Sequence, residues 1–283
     1  GYLYSTMYPV IWITYLVKGR QVVTLLDADP FHSVYNSNNG HQSMRNINIS
    51  VFVLGHILYS YLHDNSIVQH YHLASPPKLL FDAFIAYLMF WNFILLLLLA
   101  HYYLYGIWQT LREITTKITI DIKQQNHKLR ESTLSSSTIK AELYKCAYVL
   151  QQLNLITSWH QVIFWLVTIT DNVILIGYDD TVLLSVSTIV FICIPLFYYA
   201  YLVLLNQRIQ NELNNLSQLR LLLLPKNKQQ INWIVTLAEI PAVYAPHFQW
   251  TLFENLAQLD WSFLTSLTLF MIQICVLIRQ TKY

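Results

Sequence analysis

The stretch Leu259–Gln280, LDWSFLTSLTLFMIQICVLIRQ, decides the fold class that this sequence predicts. Its part from Trp261 to Ile278 carries no charged side chain. A helix rises 1.5 Å per residue and needs about 20 apolar residues to cross the hydrocarbon core of a bilayer. The stretch therefore predicts a membrane-spanning helix.

Four polar residues of this stretch form a single line along the helix. At 100° per residue they fall within a sector of about 40°. The four residues are Ser262, Ser266, Gln273 and Gln280. Such a polar stripe has two interpretations. Its groups either form hydrogen bonds to neighbouring helices or line a surface that is wetted by water.

The composition of the whole chain agrees with a membrane protein. Of its 283 residues, 55% are hydrophobic and 11% are charged, whereas a soluble domain carries about 25% charged residues. The apolar runs are continuous rather than alternating, which favours helices over a barrel. The 20 tyrosines and eight tryptophans suit interfacial aromatic belts. A net charge of +2 does not show the strong excess of basic residues that indicates nucleic-acid binding.

Six apolar spans follow one another along the chain. They are Gly1–Val17, Asn46–Leu62, Leu79–Trp108, Leu153–Tyr178, Thr181–Leu205 and the C-terminal stretch. The chain starts at Gly1 and is apolar at once, so we expect a cut N-terminus and one further span upstream. The predicted fold class is all-α: a polytopic membrane helical bundle with six visible helices of an expected seven.

The basic residues set the expected orientation. Fourteen of the 17 lysines and arginines lie on one side of the predicted membrane. They are three within 18–45, seven within 112–145 and four within 208–228. The positive-inside rule places these loops in the cytoplasm and the C-terminus outside. With seven spans the N-terminus is cytoplasmic, the reverse of a G-protein-coupled receptor.

The cytoplasmic segments also contain helical patterns. Apolar residues at spacings of three and four are Leu205, Ile209, Leu213, Leu216, Leu219 and Leu223; then Ile139, Leu143, Cys146, Val149 and Leu150; and finally Ile231, Ile234 and Leu237. The first set predicts that the fifth span continues as an amphipathic helix to near Pro225. Mutual packing beneath the membrane is favoured over helices lying on the bilayer, because basic residues are sparse on their polar faces.

The sequence after Trp108 predicts a charged, Ser-rich connection to about Lys145.

Several stretches together resemble one family of membrane receptors. The terminal stretch has a Leu259-Asp260 helix start and keeps a glutamine, Gln280, at the spacing of the family's terminal signature; Tyr148–Gln161, YVLQQLNLITSWHQ, is similar to the entry into its fifth helix. The family is the insect gustatory receptors, seven-helix chemosensory receptors related to insect odorant receptors. The departures from its signature are Gln273-Ile274 for Thr-Tyr, Thr281 for Phe, and Arg279 within the apolar run.

The resemblance implies a ligand-gated, non-selective cation channel in the plasma membrane, built as a homo- or heterotetramer. It implies that residues 1–205 form a ligand-binding bundle with cytoplasmic loop helices, 206–258 form cytoplasmic anchor helices, and 259–283 form the pore-lining helix. The expected partners are a small-molecule tastant or metabolite, membrane lipid and cations, without nucleic acid. No cofactor is implied.

The candidate sites follow from this implication. The polar stripe would line the pore, with Leu269, Val276 or Leu277 as a hydrophobic gate. Asp260 either draws cations or caps the helix. The expected ligand-binding residues in the outer half of the bundle are Tyr59, Tyr87, Trp91, Trp165, Asp171 and Asn172. Packing or an aromatic belt is the alternative for the aromatic residues, and an interhelical hydrogen bond is the alternative for Asp171.

Enzyme chemistry is not expected. His70 and His72 form an isolated pair, and the other histidines do not show the spacing of a metal site. Neither a Ser-His-Asp arrangement nor a glycine-rich phosphate loop is visible. The three cysteines are far apart and predict packing residues. The alternative from another class is a polytopic transporter or membrane enzyme with a polar site at the midplane.

Overall fold

The structure, a computed structural model, describes the backbone of residues 76–125, 135–168, 182–223, 228–252 and 257–281, and isolated positions between 17 and 25. Of the described residues, 93% are helical. The predicted all-α class is therefore confirmed. The predicted span Asn46–Leu62 and most of Gly1–Val17 lie outside the described residues.

Long helices dominate the described chain. Helix α1 spans Pro76–Gln125, α2 spans Ser136–Thr168, and α3 spans Val182–Gln218. A 3-10 turn, Leu219–Leu222, ends α3. Helix α4, Lys228–Glu239, leads into a π-helical turn, Ile240–Tyr244, and a 3-10 turn, Ala245–Phe248.

A small ribbon separates these helices from the last one. Strands β1 (Thr251–Leu252) and β2 (Ala257–Gln258) pair antiparallel, with Thr251 opposite Gln258. Helix α5 then spans Trp261–Thr281. Its bounds confirm the helix predicted from the terminal stretch.

Helix α1 continues well past the apolar run that ends at Trp108. The predicted connection after this residue is therefore wrong as far as Gln125, because the helix extends to that point. The physical reason is a second apolar stripe at spacings of three and four. Its buried members are Leu111, Ile114, Ile118 and Ile122.

The extension of α3 agrees with the predicted amphipathic helix. The helix runs without a break through residues 205 and 206 and ends, with its 3-10 turn, before Pro225. All six apolar residues of the predicted stripe are buried: Leu205, Ile209, Leu213, Leu216, Leu219 and Leu223. Mutual packing is confirmed for this helix.

Helix α2 begins at the serine-rich segment. The Ser135 side chain accepts a hydrogen bond from the backbone N–H of Thr138 at 3.1 Å, which is an N-cap. The predicted apolar face is buried at every position: Ile139, Leu143, Cys146, Val149 and Leu150. The sequence therefore predicted both the helix and the face that it buries.

Helix α4 exists as predicted, and its packed face overlaps the predicted one. Leu237 is buried and Ile234 is partly buried against the core, but Ile231 is 48% exposed, contrary to its predicted place in the packing layer. The other buried residues are Gln230, Trp233 and Thr236. The helix face that carries Trp233 is buried because burial of the large indole removes more apolar area from water than burial of Ile231 would.

The contacts between helices define their directions. On α1 and α3, His101 stacks on Tyr201 and Trp108 lies next to Arg208, so these two helices are parallel. Helix α5 is antiparallel to α3, because Trp261 bonds to Gln207 and Met271 packs with Leu196.

Helix α2 lies beside the segment after α4. Lys140 pairs with Glu239 at 2.8 Å, and Tyr144 contacts Tyr244 with ring centroids 5.2 Å apart. Asn154 on the same helix reaches Gln249. The segment from Glu239 to Gln249 therefore runs alongside α2 and in the same direction.

The described positions between Val17 and Leu25 are helical, although the sequence predicts that the first apolar segment ends at Val17. Leu25 is buried, and its carbonyl accepts a hydrogen bond from the Tyr103 hydroxyl at 2.9 Å. Packing against α1 explains why the helical conformation continues beyond the predicted end at Val17.

Among the described residues, one helix is long and apolar enough to cross a membrane, by length and composition alone. It is the segment Trp261–Ile278, of which 11% is buried. The core helix of a soluble protein passes the same test but is mostly buried.

Replacing Leu213 with alanine should lower the free energy of unfolding by about 2–5 kcal/mol, because it leaves a cavity in a packed layer. Leu213 is 1% exposed. The matched control is Leu221→Ala, since Leu221 is 78% exposed and should change stability little. Thermal unfolding of the purified full chain measures both, and equal shifts would contradict the described packing.

The second prediction concerns Cys146. Burial, with a smaller contribution from Glu142, raises the pKa of this thiol to about 12. Its native state therefore holds the proton above the pH at which the unfolded thiol loses it. Between the two pKa values, stability should fall by about 1.4 kcal/mol per pH unit. Cys146→Ala should remove this slope near pH 9–10, and an unchanged slope would show that another group causes it.

Candidate functional site

Helix α5 begins at a side-chain cap. The Asp260 carboxylate accepts a hydrogen bond from the backbone N–H of Phe263 at 2.8 Å. An N-cap of this kind satisfies one of the free donors at the start of a helix. The capping interpretation of Asp260 is confirmed. Its side chain is also exposed, so its charge faces the surroundings.

One face of α5 attaches it to the rest of the chain. Leu264 and Met271, seven residues apart, are 8% and 5% exposed. Other apolar residues on the same face are partly buried: Leu267, Ile274, Cys275 and Ile278. This face packs against Leu196 of α3.

The polar stripe lies on the opposite side of α5. Its four residues are exposed. Counting 100° per residue, the centre of the stripe is about 180° from the line through Leu264 and Met271. The helix thus turns its apolar side toward its own chain and its polar side away from it.

Hydrogen bonding separates the stripe from the other polar residues of α5. The hydroxyls of Thr265 and Thr268 bond to backbone carbonyls four residues earlier, at 2.7 and 2.8 Å. Among the described residues, the side chains of the stripe have no hydrogen-bond partner. Within the described chain they do not act as the hydrogen-bonding contacts between helices that the first interpretation requires.

Large apolar side chains lie on either side of the stripe. Leu269, Val276 and Leu277 are 54%, 49% and 60% exposed. By angle, Leu269 and Val276 lie on one side of the stripe and Leu277 on the other. The three residues proposed for a gate therefore lie on the outward surface of the helix.

The segment before α5 is held by a buried asparagine. The Asn154 amide nitrogen donates to the Gln249 carbonyl at 2.8 Å, and its amide oxygen accepts from the Thr251 N–H at 3.2 Å. These are the two bonds that a neighbouring strand would make. Asn154 thus pairs with the backbone just before the ribbon as a strand would.

Two further contacts hold the same segment. The Gln210 side chain of α3 donates to the Phe248 carbonyl. The indole of Trp250 is buried and stacks on Tyr199 with ring centroids 5.6 Å apart. Leu259 then returns its N–H to the Trp250 carbonyl at 2.9 Å. The start of α5 is therefore tied to both α2 and α3.

Sequence reasoning did not identify Asn154 or Gln210. The available signal was a polar residue on an apolar helix face, because Asn154 lies beside Leu150, Leu153 and Thr157 on the buried side of α2. The backbone partners of Asn154 are 95 and 97 residues away in sequence, and the partner of Gln210 is 38 residues away. No local pattern indicates such a pair.

The structure describes little of the segments that contain the predicted ligand-binding residues. Tyr87 and Trp91 are positions of α1 and Trp165 is a position of α2, but their side chains lie outside the described residues. Tyr59, Asp171 and Asn172 lie wholly outside them. Their proposed role stays a prediction.

No metal-binding group of histidine, cysteine or acidic residues occurs within the described chain. His101 stacks on Tyr105 and Tyr201, with ring centroids 6.0 and 5.3 Å apart. Its imidazole is part of an aromatic contact between α1 and α3. This arrangement fits packing rather than coordination.

Replacing Asn154 with alanine should destabilise the protein by about 2–3 kcal/mol, because it leaves a buried carbonyl and a buried N–H unpaired. Hydrogen exchange at the Thr251 amide should also speed up. Asn215→Ala, at an exposed position of α3, is the control. Exchange at Thr251 that is as slow as in the wild type would show that Asn154 does not hold this segment.

Comparisons with known proteins give no relative for this chain. No family model matches it, and neither a curated protein nor a solved structure is similar to it. The resemblance to insect gustatory receptors therefore stays a prediction from the sequence motifs.

Proposed function

We propose that this chain is a subunit of a ligand-gated, non-selective cation channel of the gustatory-receptor type, spanning the plasma membrane several times. Helix α5 of each subunit lines the pore of a tetramer. The observation that carries the proposal is the polar stripe on α5, exposed and directly opposite the face that packs against the chain.

Symmetry gives this stripe a use. In a closed assembly, each subunit presents the same surface to the axis. A peripheral helix that packs inward through Leu264 and Met271 turns its far side toward such an axis. Water in a central pore then satisfies the polar groups of the stripe, which hydrocarbon would leave unpaired.

The arrangement of the other helices supports a membrane-spanning bundle. Helices α1 and α3 are parallel, and α5 runs the opposite way. This agrees with the alternation expected if Leu79–Trp108 and Thr181–Leu205 enter the cytoplasm and the last helix leaves it.

The buried extensions of α1, α2 and α3 supply the proposed anchor layer. Each continues an apolar run as an amphipathic helix whose stripe is buried in the same core cluster. We propose that this layer is cytoplasmic and that it holds the subunits together. The C-terminus is then extracellular.

The proposed ligand is a small-molecule tastant or metabolite bound in the outer half of the bundle. The residues proposed for this pocket are Tyr59, Tyr87, Trp91, Trp165, Asp171 and Asn172. Pockets for small organic ligands are commonly lined by aromatic side chains together with a few polar or charged groups.

A transporter with a midplane polar site is the second candidate. Transporter sites of this kind are formed by interrupted helices. Helix α3 carries Pro195 in its interior but continues through it, and α1 and α5 are continuous along their described lengths. These continuous helices favour the channel.

Gln280→Leu tests the pore. An apolar ring in place of a polar one favours dewetting, so we expect the unitary conductance to fall about twofold or more, or the gating to change. The measurement is patch-clamp recording from cells that express the full-length chain, with sugars, bitter compounds and internal metabolites as trial ligands.

Ile272→Leu is the control for this substitution. Ile272 is 54% exposed but lies about 80° around the helix from Gln280, so its replacement should leave the currents unchanged. Currents and ion selectivity of Gln280→Leu equal to the wild type would overturn the assignment of this stripe to a pore.

A further inference from the structure

Two arginines lie against one tryptophan where α1 and α3 meet. The guanidinium carbon of Arg112 is 5.5 Å from the centroid of the Trp108 ring, and that of Arg208 is 5.4 Å from it. Both distances are within the range of a cation–π contact. We call Trp108, Arg112 and Arg208 the arginine–tryptophan cluster.

The cluster marks the end of two apolar runs. No lysine or arginine occurs between Lys78 and Arg112, and no charged residue occurs between Asp180 and Arg208. Since α1 and α3 are parallel, the two runs end at the same side of the bundle. Trp261, the first residue of α5, donates its indole N–H to Gln207 at 3.1 Å, so α5 starts beside the same boundary.

The charges of the cluster are available to an external anion. Arg112 and Arg208 are both exposed. Three acidic side chains of the described chain pair with lysines: Glu113 with Lys117, Glu142 with Lys145, and Glu239 with Lys140. Within the described residues, neither arginine of the cluster forms an ion pair. A guanidinium offers five N–H donors in a planar fork that fits a phosphate.

We propose that the arginine–tryptophan cluster binds the phosphate groups of an anionic lipid headgroup in the cytoplasmic leaflet. The proposal rests on the membrane-spanning arrangement argued above. Tryptophan rings prefer the headgroup level of a bilayer, and basic pockets between helices on the cytoplasmic side recognise phosphorylated headgroups.

The spacing accommodates a headgroup with more than one phosphate. Both guanidinium carbons lie within 5.5 Å of one ring centroid, so they are separated by about 11 Å at most. Two phosphates on one inositol ring can engage one arginine each. Contact with the same ring also limits the rotamers of both arginine side chains before the headgroup binds, which lowers the entropic cost of binding.

The test is native mass spectrometry of the full chain in detergent. The probes are dioctanoyl phosphatidylinositol bisphosphate, dioctanoyl phosphatidylcholine and free inositol trisphosphate. Arg112→Gln combined with Arg208→Gln should weaken binding of the anionic lipid about thirtyfold, at about fivefold for each basic residue near an anionic lipid surface. The neutral lipid should bind weakly to all variants.

The matched control removes two charges outside the cluster, near the ends of the same two helical segments. Lys123 is an exposed residue near the end of α1, and Arg220 is an exposed residue of the 3-10 turn that ends α3. Lys123→Gln combined with Arg220→Gln should change binding by about twofold or less, because exposed charges at a distance are screened. Thermal unfolding of each variant checks that the fold is retained.

Each outcome decides the proposal. Weaker binding of the anionic lipid by the cluster variant alone supports the proposal. Equal weakening in the control variant shows diffuse electrostatic attraction and overturns the proposal. Unchanged binding by the cluster variant also overturns it. Inositol trisphosphate that binds as tightly as the lipid, with the same dependence on the cluster, would assign the site to a soluble phosphate and overturn the lipid. Because the assay measures no current, a chain that binds the lipid but does not conduct contradicts the channel alone.

Discussion

The placement of the last helix depends on two amide side chains that bond to the backbone before it. Residues 248–251 lie inside the bundle, where an unpaired backbone group is costly. Asn154 bonds on both sides of Trp250, and Gln210 bonds one residue further back. Since one amide belongs to α2 and the other to α3, a shift between these helices moves the start of α5. In the proposed channel, this is the route by which the bundle acts on the pore.

The rest of α5 is attached through one apolar face. This single-sided packing leaves a helix that is mostly exposed and has a polar line on its free side. Neither hydrocarbon nor the part of the chain that the structure describes offers hydrogen-bond partners to that line. In the proposed channel, water around a symmetric axis supplies these partners.

The second constraint is the boundary at the arginine–tryptophan cluster. There, the apolar runs in the sequence of α1 and α3 give way to the amphipathic extensions of both helices, and α5 begins. The helices do not stop at this boundary, because their buried stripes continue through Ile122 on α1 and Leu216 on α3. In the proposed channel, the part before this boundary lies in the membrane and the buried extensions form the cytoplasmic anchor layer.

Periodicity in the sequence was sufficient wherever a helix buries a regular stripe of medium-sized apolar residues. It predicted the extension of α3 and the buried face of α2, while the uncharged run Trp261–Ile278 predicted α5. It failed where one large residue decides the face, as Trp233 does over Ile231. After Trp108, charged residues between the isoleucines obscure the periodic apolar stripe of α1, so the sequence did not predict this part of the helix.

The sequence by itself determined the all-α class, the polar stripe and its angular width, because these depend only on the order of residues along a helix. The tertiary structure decided which way the stripe faces, because that depends on which side of α5 packs against α3. It also decided the contacts of Asn154, Gln210 and Arg208. The partners of these three residues are distant in sequence, and only the packing of separate helices brings them within hydrogen-bond or cation–π distance.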